Sequence, residues 1–257
     1  MKLQIVSDLH LEFQSNRDWL RDNPIILKGD VLLIAGDTIC DKYKKKASFF
    51  YKKISKDFPM IISTMGNHEF YGSFIDYAYP SYEKKINENY FHVNNKSIIY
   101  KEVKFIVSVL WSEVPLYRVN EVENGINDYY YVCNKRNDGE EGIIRVEETN
   151  TFHKISVDYI KKELSEPFDG RIVLLTHHLP SYQCISEEHR PSSLNAAYAS
   201  NLHEIIEGNP QIAYWICGHS HDKNVTKIGD TIVIRNPLGY VDHDEQQDFE
   251  RDFFVEI

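Results

Sequence analysis

The chain has 257 residues and a mass of 30.1 kDa, with 42% of its residues in the hydrophobic set and 26% charged. That is the composition of a globular protein, and it excludes a disordered chain, a collagen repeat, a coiled coil or a disulfide scaffold. With 29 basic against 39 acidic residues the net charge is -10, which disfavours binding to long nucleic acid, because that affinity comes from cationic side chains displacing counterions.

The N-terminus, MKLQIVSD, carries one lysine and an apolar run too short for a signal peptide or a membrane span. Cys40, Cys133, Cys184 and Cys217 are scattered and form no CxxC pair. Both features lead to the expectation of a cytoplasmic protein with free thiols and no membrane partner.

Taken in chain order, apolar β-branched runs predict strands at 3-6, 31-35, 60-64, 104-111, 171-176, 212-217, 231-236 and 252-257. Near-continuous apolar runs of this kind mean sheets covered on both faces. Helical spacing predicts helices over 43-57, 149-164 and 195-207, the second capped by Thr149 or Asn150. The lysines of 43-57 read as the solvated face of their helix. Strands alternating with helices give an α/β fold class. No repeat or linker divides the chain, so one domain is expected over 1-257. Residues 112-146 are polar, rich in Asn and Tyr and aperiodic, and are read as an insertion able to cap a site.

Five of the strands run into clusters of metal-binding residue types. LQIV meets Asp8 and His10, and VLLIA meets Gly36-Asp37. MIIST meets Gly66-Asn67-His68-Glu69, RIVLLT meets His177-His178, and IAYWIC meets Gly218-His219-Ser220-His221. Ligands of open α/β sheets bind beyond the carboxyl ends of strands, so these loops are expected to share one rim. Asp8 and His10 alternate along the strand end and point to opposite sides unless the chain turns there. Imidazole with carboxylate and amide oxygen suits Mn, Fe, Co, Ni or Zn better than Ca or Mg. Asp8, His10, Asp37, Asn67, His177, His219 and His221 are too many for one tetrahedral ion and about right for two ions sharing a carboxylate. Such a pair clamps the attacking and leaving oxygens of a displacement at phosphorus.

The order Asp-x-His, Gly-Asp, Gly-Asn-His-Glu, His, Gly-His-x-His resembles the calcineurin-like metallophosphoesterase superfamily, in its small phosphodiesterase branch. The resemblance implies two facing mixed β-sheets flanked by helices in four αββα layers. It implies that Asp8, His10 and His221 hold one metal ion, that Asn67, His177 and His219 hold the other, and that Asp37 bridges them, with Mn the favoured metal. It gives His68 the role of acid toward the leaving group, and it implies attack on phosphorus by a metal-bridging hydroxide. His177 rather than His178 takes the ligand position by the same likeness. Glu69 is expected to orient His68, and His178 to stand behind the ligands. Asn127, Tyr129, Asn195 and Tyr240 are expected to touch substrate, with Asp128, Arg190 and Tyr198 nearby. His92, His153, His189, His203 and His243 are assigned surface or core roles. The arginines that protein phosphatases of the superfamily carry beside their Gly-Asp and Gly-Asn-His motifs are absent from 36-42 and 63-67. The expectation is hydrolysis of a small, nucleotide-like phosphodiester or phosphomonoester. A nuclease for short nucleic acid, a protein phosphatase or a non-catalytic scaffold stand as alternatives.

Overall fold

The computed structural model describes residues 1-136 and 139-257. In chain order the first half holds β1 (Lys2–Val6), α1 (Gln14–Asp22), β2 (Val31–Ala35), α2 (Ser48–Asp57), β3 (Met60–Thr64), β4 (Tyr82–Asn87), β5 (Tyr90–Asn94), β6 (Lys96–Tyr100) and β7 (Val103–Val107). There follow α3 (Val119–Gly125), α4 (Asp128–Tyr131), β8 (Cys133–Lys135), β9 (Glu141–Ile143), α5 (Val146–Ser165), β10 (Arg171–Leu175), α6 (His203–Glu207), β11 (Ile212–Ile216), β12 (Asn224–Ile228), β13 (Thr231–Arg235) and β14 (Phe254–Glu256).

Two six-stranded mixed sheets face each other, ordered β14-β1-β2-β3-β5-β4 and β12-β13-β11-β10-β7-β6. In each, four central parallel strands are flanked by antiparallel edges. The layering follows from alternation along the strands. Leu33, Ala35, Val173 and Leu175 point between the sheets, where Phe105, Ile216 and Ile234 join them. Leu32 and Ile34 point the other way, onto Leu20 of α1 and Phe50 and Ile54 of α2. Ile172 and Leu174 likewise meet Ile160 of α5 and Ile205 and Ile206 of α6. The result is helix, sheet, sheet, helix. Beyond the strand ends, Asn236 joins the layers: its amide donates to the carbonyls of Ile5 and Glu250 at 2.8 Å each.

Several elements differ from expectation. The segment 195-207 is not one helix. Leu179 draws residues 198-200 into a short parallel pairing, through Leu179 N–H to the Tyr198 carbonyl and Ser200 N–H to that of Leu179. Only a 3-10 turn at Ser193–Ala197 and the short α6 remain. The strand of 104-111 ends at Val107, after which Asn94 takes the Val109 N–H at 2.8 Å. Helix α5 begins before Thr149, with Glu148 accepting the Arg145 N–H at 2.9 Å. In 43-57 the first turns are 3-10, and the α-helix starts at Ser48. Residues 112-146 contain α3, α4 and the β8-β9 hairpin rather than irregular chain.

Phe105 is fully buried at the centre of the inter-sheet layer. Replacing it with alanine is expected to cost about 3–5 kcal/mol of stability, read as a lowered urea midpoint with an unchanged slope.

Candidate metal centre

The five loops meet where the strand ends of the two sheets converge. The chain turns sharply at both members of the Asp-x-His pair: Asp8 has φ 52° and His10 φ 45°. These left-handed conformations are rare for non-glycine residues and cluster at functional sites. They swing both side chains to one side. The turn is zipped to the next loop, with Asp8 N–H donating to the Gly36 carbonyl and His10 N–H to that of Asp37. Asp37 (φ 50°) and His219 (φ 69°) adopt the same region. Close approach dictates glycine at two points. A Cβ on Gly36 would stand 2.5 Å from His177 Nδ1, and one on Gly66 2.1 Å from Asp37 Oδ1.

Three groups of ligand-type atoms result, each gathered within 4.8 Å: His10 with Glu12 and His68, and two at the seam, Asp8 with His10 and His221, and Asp37 with His177 and His219. Asp37 Oδ2 lies between them, 3.8 Å from His10 Nε2 and 3.5 Å from His177 Nε2. Asn67 Oδ1 is 2.9 Å from His177 Nε2. The structure therefore brings together all seven residues singled out by the sequence. Of the two adjacent histidines, His177 enters the group. His178 lies beneath it, its ring 4.3 Å from that of His219 and 5.0 Å from that of Trp111.

The outer ring atoms fix the direction of the inner ones. His10 Nδ1 faces Glu12 at 3.1 Å, His221 Nδ1 faces Glu245 at 2.6 Å, and His177 Nδ1 faces the Ala35 carbonyl at 2.8 Å. Each acceptor holds a proton on Nδ1 and turns the Nε2 lone pair inward. His10 Nε2 and His221 Nε2 then oppose each other at 3.1 Å. Two lone pairs at that distance repel unless a proton or a cation lies between them. Beside them Asp8 Oδ2 is buried without a hydrogen-bond partner, a costly state for a carboxylate oxygen unless a cation is near. Imidazole nitrogen, carboxylate and amide oxygen together fit divalent transition metals. The charge states agree. Burial works against ionisation of Asp37, but His177, His68 and His10 hold its carboxyl well below the usual range. Burial and the neighbouring His178 and His177 push His219 far down, so it is neutral.

Glu69 does not orient His68. Its carboxylate accepts the backbone N–H groups of Gly66 at 2.6 Å, Thr38 at 2.7 Å and Asp37 at 3.0 Å. It ties two ligand loops together, because those amides have no other partner at the seam. His68 is held by Glu12, which the sequence reading missed: Nδ1 is 2.9 Å from Glu12 Oε1. Its ring stacks on Tyr71 at 4.1 Å, and Nε2 is 3.2 Å from the Tyr240 hydroxyl. Burial alone would lower His68, but Asp37, the Cys40 thiol and Glu12 raise it well above its ordinary value.

A cavity of about 350 Å³ opens over the centre, lined by Asn127, Asn195 and Tyr240 among others. Tyr129 is not among them. Helix α4 turns it inward, where its hydroxyl meets Thr149 at 3.0 Å. Arg190 pairs with Glu187 at 3.2 Å instead of entering the cavity. Tyr198 does line it, stacked on His219 at 4.5 Å. His189 lines it as well, which its assignment to surface or core did not foresee. His92, His153 and His203 are hydrogen-bonded elsewhere, to Ser63, the Leu110 carbonyl and Ser181. Asp128 accepts from Asn67 Nδ2 and from the Tyr71 hydroxyl, both at 2.7 Å, and so aims the Asn67 carbonyl oxygen at the centre. Changing Asp128 to alanine is expected to weaken metal binding about 10–100-fold at the position served by Asn67. Calorimetric titration with Mn checks this, and unchanged affinity would mean that the amide is held by other contacts.

Residues 1–223 match the family described as calcineurin-like phosphoesterase. An uncharacterised protein of Acanthamoeba polyphaga mimivirus is 28% identical over 262 residues, covering 93% of this chain and 91% of its own. Among solved structures, phosphopantetheinyl hydrolase from Mycobacterium tuberculosis superposes with a TM-score of 0.69 at 12% identity, covering 99% of this chain and 95% of that one. A dimetal phosphatase from Danio rerio gives 0.47 at 13% identity, covering 91% and 86%. At such identities the first structure shows a shared fold. All five ligand loops lie inside the matched stretch: the chain belongs to the calcineurin-like phosphoesterase family and is a metal-dependent phosphoester hydrolase.

Proposed function

We propose that this chain binds two divalent transition-metal ions, Mn foremost, and hydrolyses a small phosphodiester or phosphomonoester of nucleotide-like size. The observation that carries the reading is the position of Asp37 Oδ2, within 3.8 Å of His10 Nε2 and 3.5 Å of His177 Nε2. One carboxylate oxygen shared between two ligand groups is what a bridged pair requires. Asp8, His10 and His221 would hold one ion, and Asn67, His177 and His219 the other. When bound, such ions supply Lewis-acid charge and a water acidic enough to react near neutrality. The free cysteines support a reducing, cytoplasmic setting. The cap role read for 112-146 rests on Gly125, Ile126, Asn127 and Asp128, which form part of the cavity wall; residues 137-138 of that range lie outside the described residues.

The protein's own residues manage the proton. Glu12 holds His68 Nδ1 and leaves Nε2 facing the cavity beside Tyr240. Asp37, Cys40 and Glu12 raise the His68 pKa well above its ordinary value against the effect of burial, which favours a ring able to donate from Nε2. In the reaction the oxygen of water bonds to phosphorus, the phosphorus–oxygen bond to the leaving group breaks, and the departing oxygen takes the His68 proton. The proton lost by water restores the imidazolium.

Two outcomes test this. Elemental analysis of Mn-supplemented protein is expected to find near two equivalents of metal, falling below one in Asp37→Ala. Two equivalents retained by the variant would remove Asp37 from the bridging position. Substituting His68 by alanine is expected to slow turnover of p-nitrophenyl phosphate esters about 10²–10⁴-fold with metal content unchanged. Loss of metal in that variant would instead make His68 a ligand.

A further inference from the structure

The cavity over the centre is poorly furnished for a highly charged ligand. Among the described residues that line it there is no lysine or arginine. Its outer carboxylates are committed, Asp128 to Asn67 and Tyr71, and Glu245 to His221 and the Tyr240 N–H, and both repel an approaching anion. Part of the wall is aliphatic: Ile126, Ile185 and Leu194. There α3 and the Leu194 turn approach closely; a Cβ on Gly125 would stand 2.8 Å from Leu194 Cδ2. Asn195 spends its amide on the carbonyls of His189 and Arg190. What it can offer a ligand is an acceptor oxygen, which suits a hydroxyl or N–H.

The charge on a reacting phosphate is answered by the centre itself. A second anionic group on the same ligand would lie against the aliphatic wall, lose hydration and find no lysine or arginine in return. An uncharged arm in that place removes apolar surface from water, which favours binding.

We infer that the cavity selects a phosphodiester bearing one negative charge, with an uncharged arm seated against Ile126, Ile185 and Leu194, and rejects esters whose arm carries a further phosphate or carboxylate. This rests on the phosphoesterase reading above and narrows its substrate class.

The test uses the metal-loaded protein and three chromogenic esters: p-nitrophenyl phosphate, thymidine 5'-(p-nitrophenyl phosphate), and the same nucleoside ester phosphorylated at its 3'-hydroxyl. The thymidine diester is expected to give the highest kcat/KM, at least about tenfold above its phosphorylated counterpart. Leu194→Arg, or Ile185→Lys should the first fold poorly, is expected to bring that ratio within about threefold by supplying the missing cation, with metal content unchanged. Equal kcat/KM for the two nucleoside esters in the unaltered protein overturns the inference. Turnover of p-nitrophenyl phosphate alone overturns it too, while leaving the phosphoesterase reading intact. No turnover of any ester by protein carrying its metal overturns both.

Discussion

A carboxylate buried at the seam between two sheets organises this molecule. Asp37 is 1% exposed, and among the described residues its ion-pair partners are histidines. Its charge is tolerable only because imidazoles surround it, and because a cation can take the place of their protons. That requirement propagates outward. The loops that carry the imidazoles must approach closely enough to exclude side chains, hence glycine at positions 36 and 66. Asp8, His10, Asp37 and His219 must take left-handed backbone conformations to aim inward. Such conformations cost of order 1–3 kcal/mol each, so the surrounding packing has to impose them. Strands β2 and β3, buried along their whole length, provide that stiffness.

A second layer of acidic residues fixes the first. Glu12, Glu245, Glu69 and Asp128 each hold a different part of the centre: three rings, a pair of loops and an amide. Their own ionisation is arranged to match. Burial works to raise the Glu12 carboxyl, but the hydrogen bonds from His10 and His68 hold it down at about 2. Glu69 is pushed up to about 8 by burial and by the Asp37 charge, against the amides that favour its ionised form. Glu12 gains hydrogen bonds from two rings, whereas Glu69 lies beside the charge of Asp37, and this difference separates the two carboxylates.

How much of this was legible in the sequence depends on what kind of contact each residue makes. The seven ligand-type residues could be read because each follows a buried strand, and parallel strands deliver their carboxyl ends to one place. The parallel, fully buried strands β1, β2, β3, β10 and β11 were readable for the same reason. The polar strands β4, β6 and β12 were not, because edge strands exposed on one side lack the continuous apolar run. Glu12 and Glu245 carry no local mark among 39 acidic residues, and Asp128 was marked only as lying near substrate; their roles arise from turns that bring distant backbone together. Glu69 and Tyr129 were misread for a related cause. Adjacency in sequence to His68 and Asn127 implied adjacency in space, but a 3-10 turn at His68–Phe70 and the short α4 rotate each side chain away.

The same charge arrangement couples metal to stability. With no ion present, opposed imidazole nitrogens at 3.1 Å and an unpartnered Asp8 oxygen stand in a buried site, and the left-handed turns hold them there. An ion that binds only this assembled state stabilises it by mass action, about 2.7 kcal/mol for a free concentration one hundred times its dissociation constant. The binding also displaces protons, since His177 sits near 9 in the metal-free chain, where burial lowers it but Asp37 raises it more. Acid therefore competes with metal for the same lone pair. Among the described residues the cavity wall offers histidine but no lysine or arginine, so in a chain of net charge -10 a metal ion is the stronger source of positive charge there.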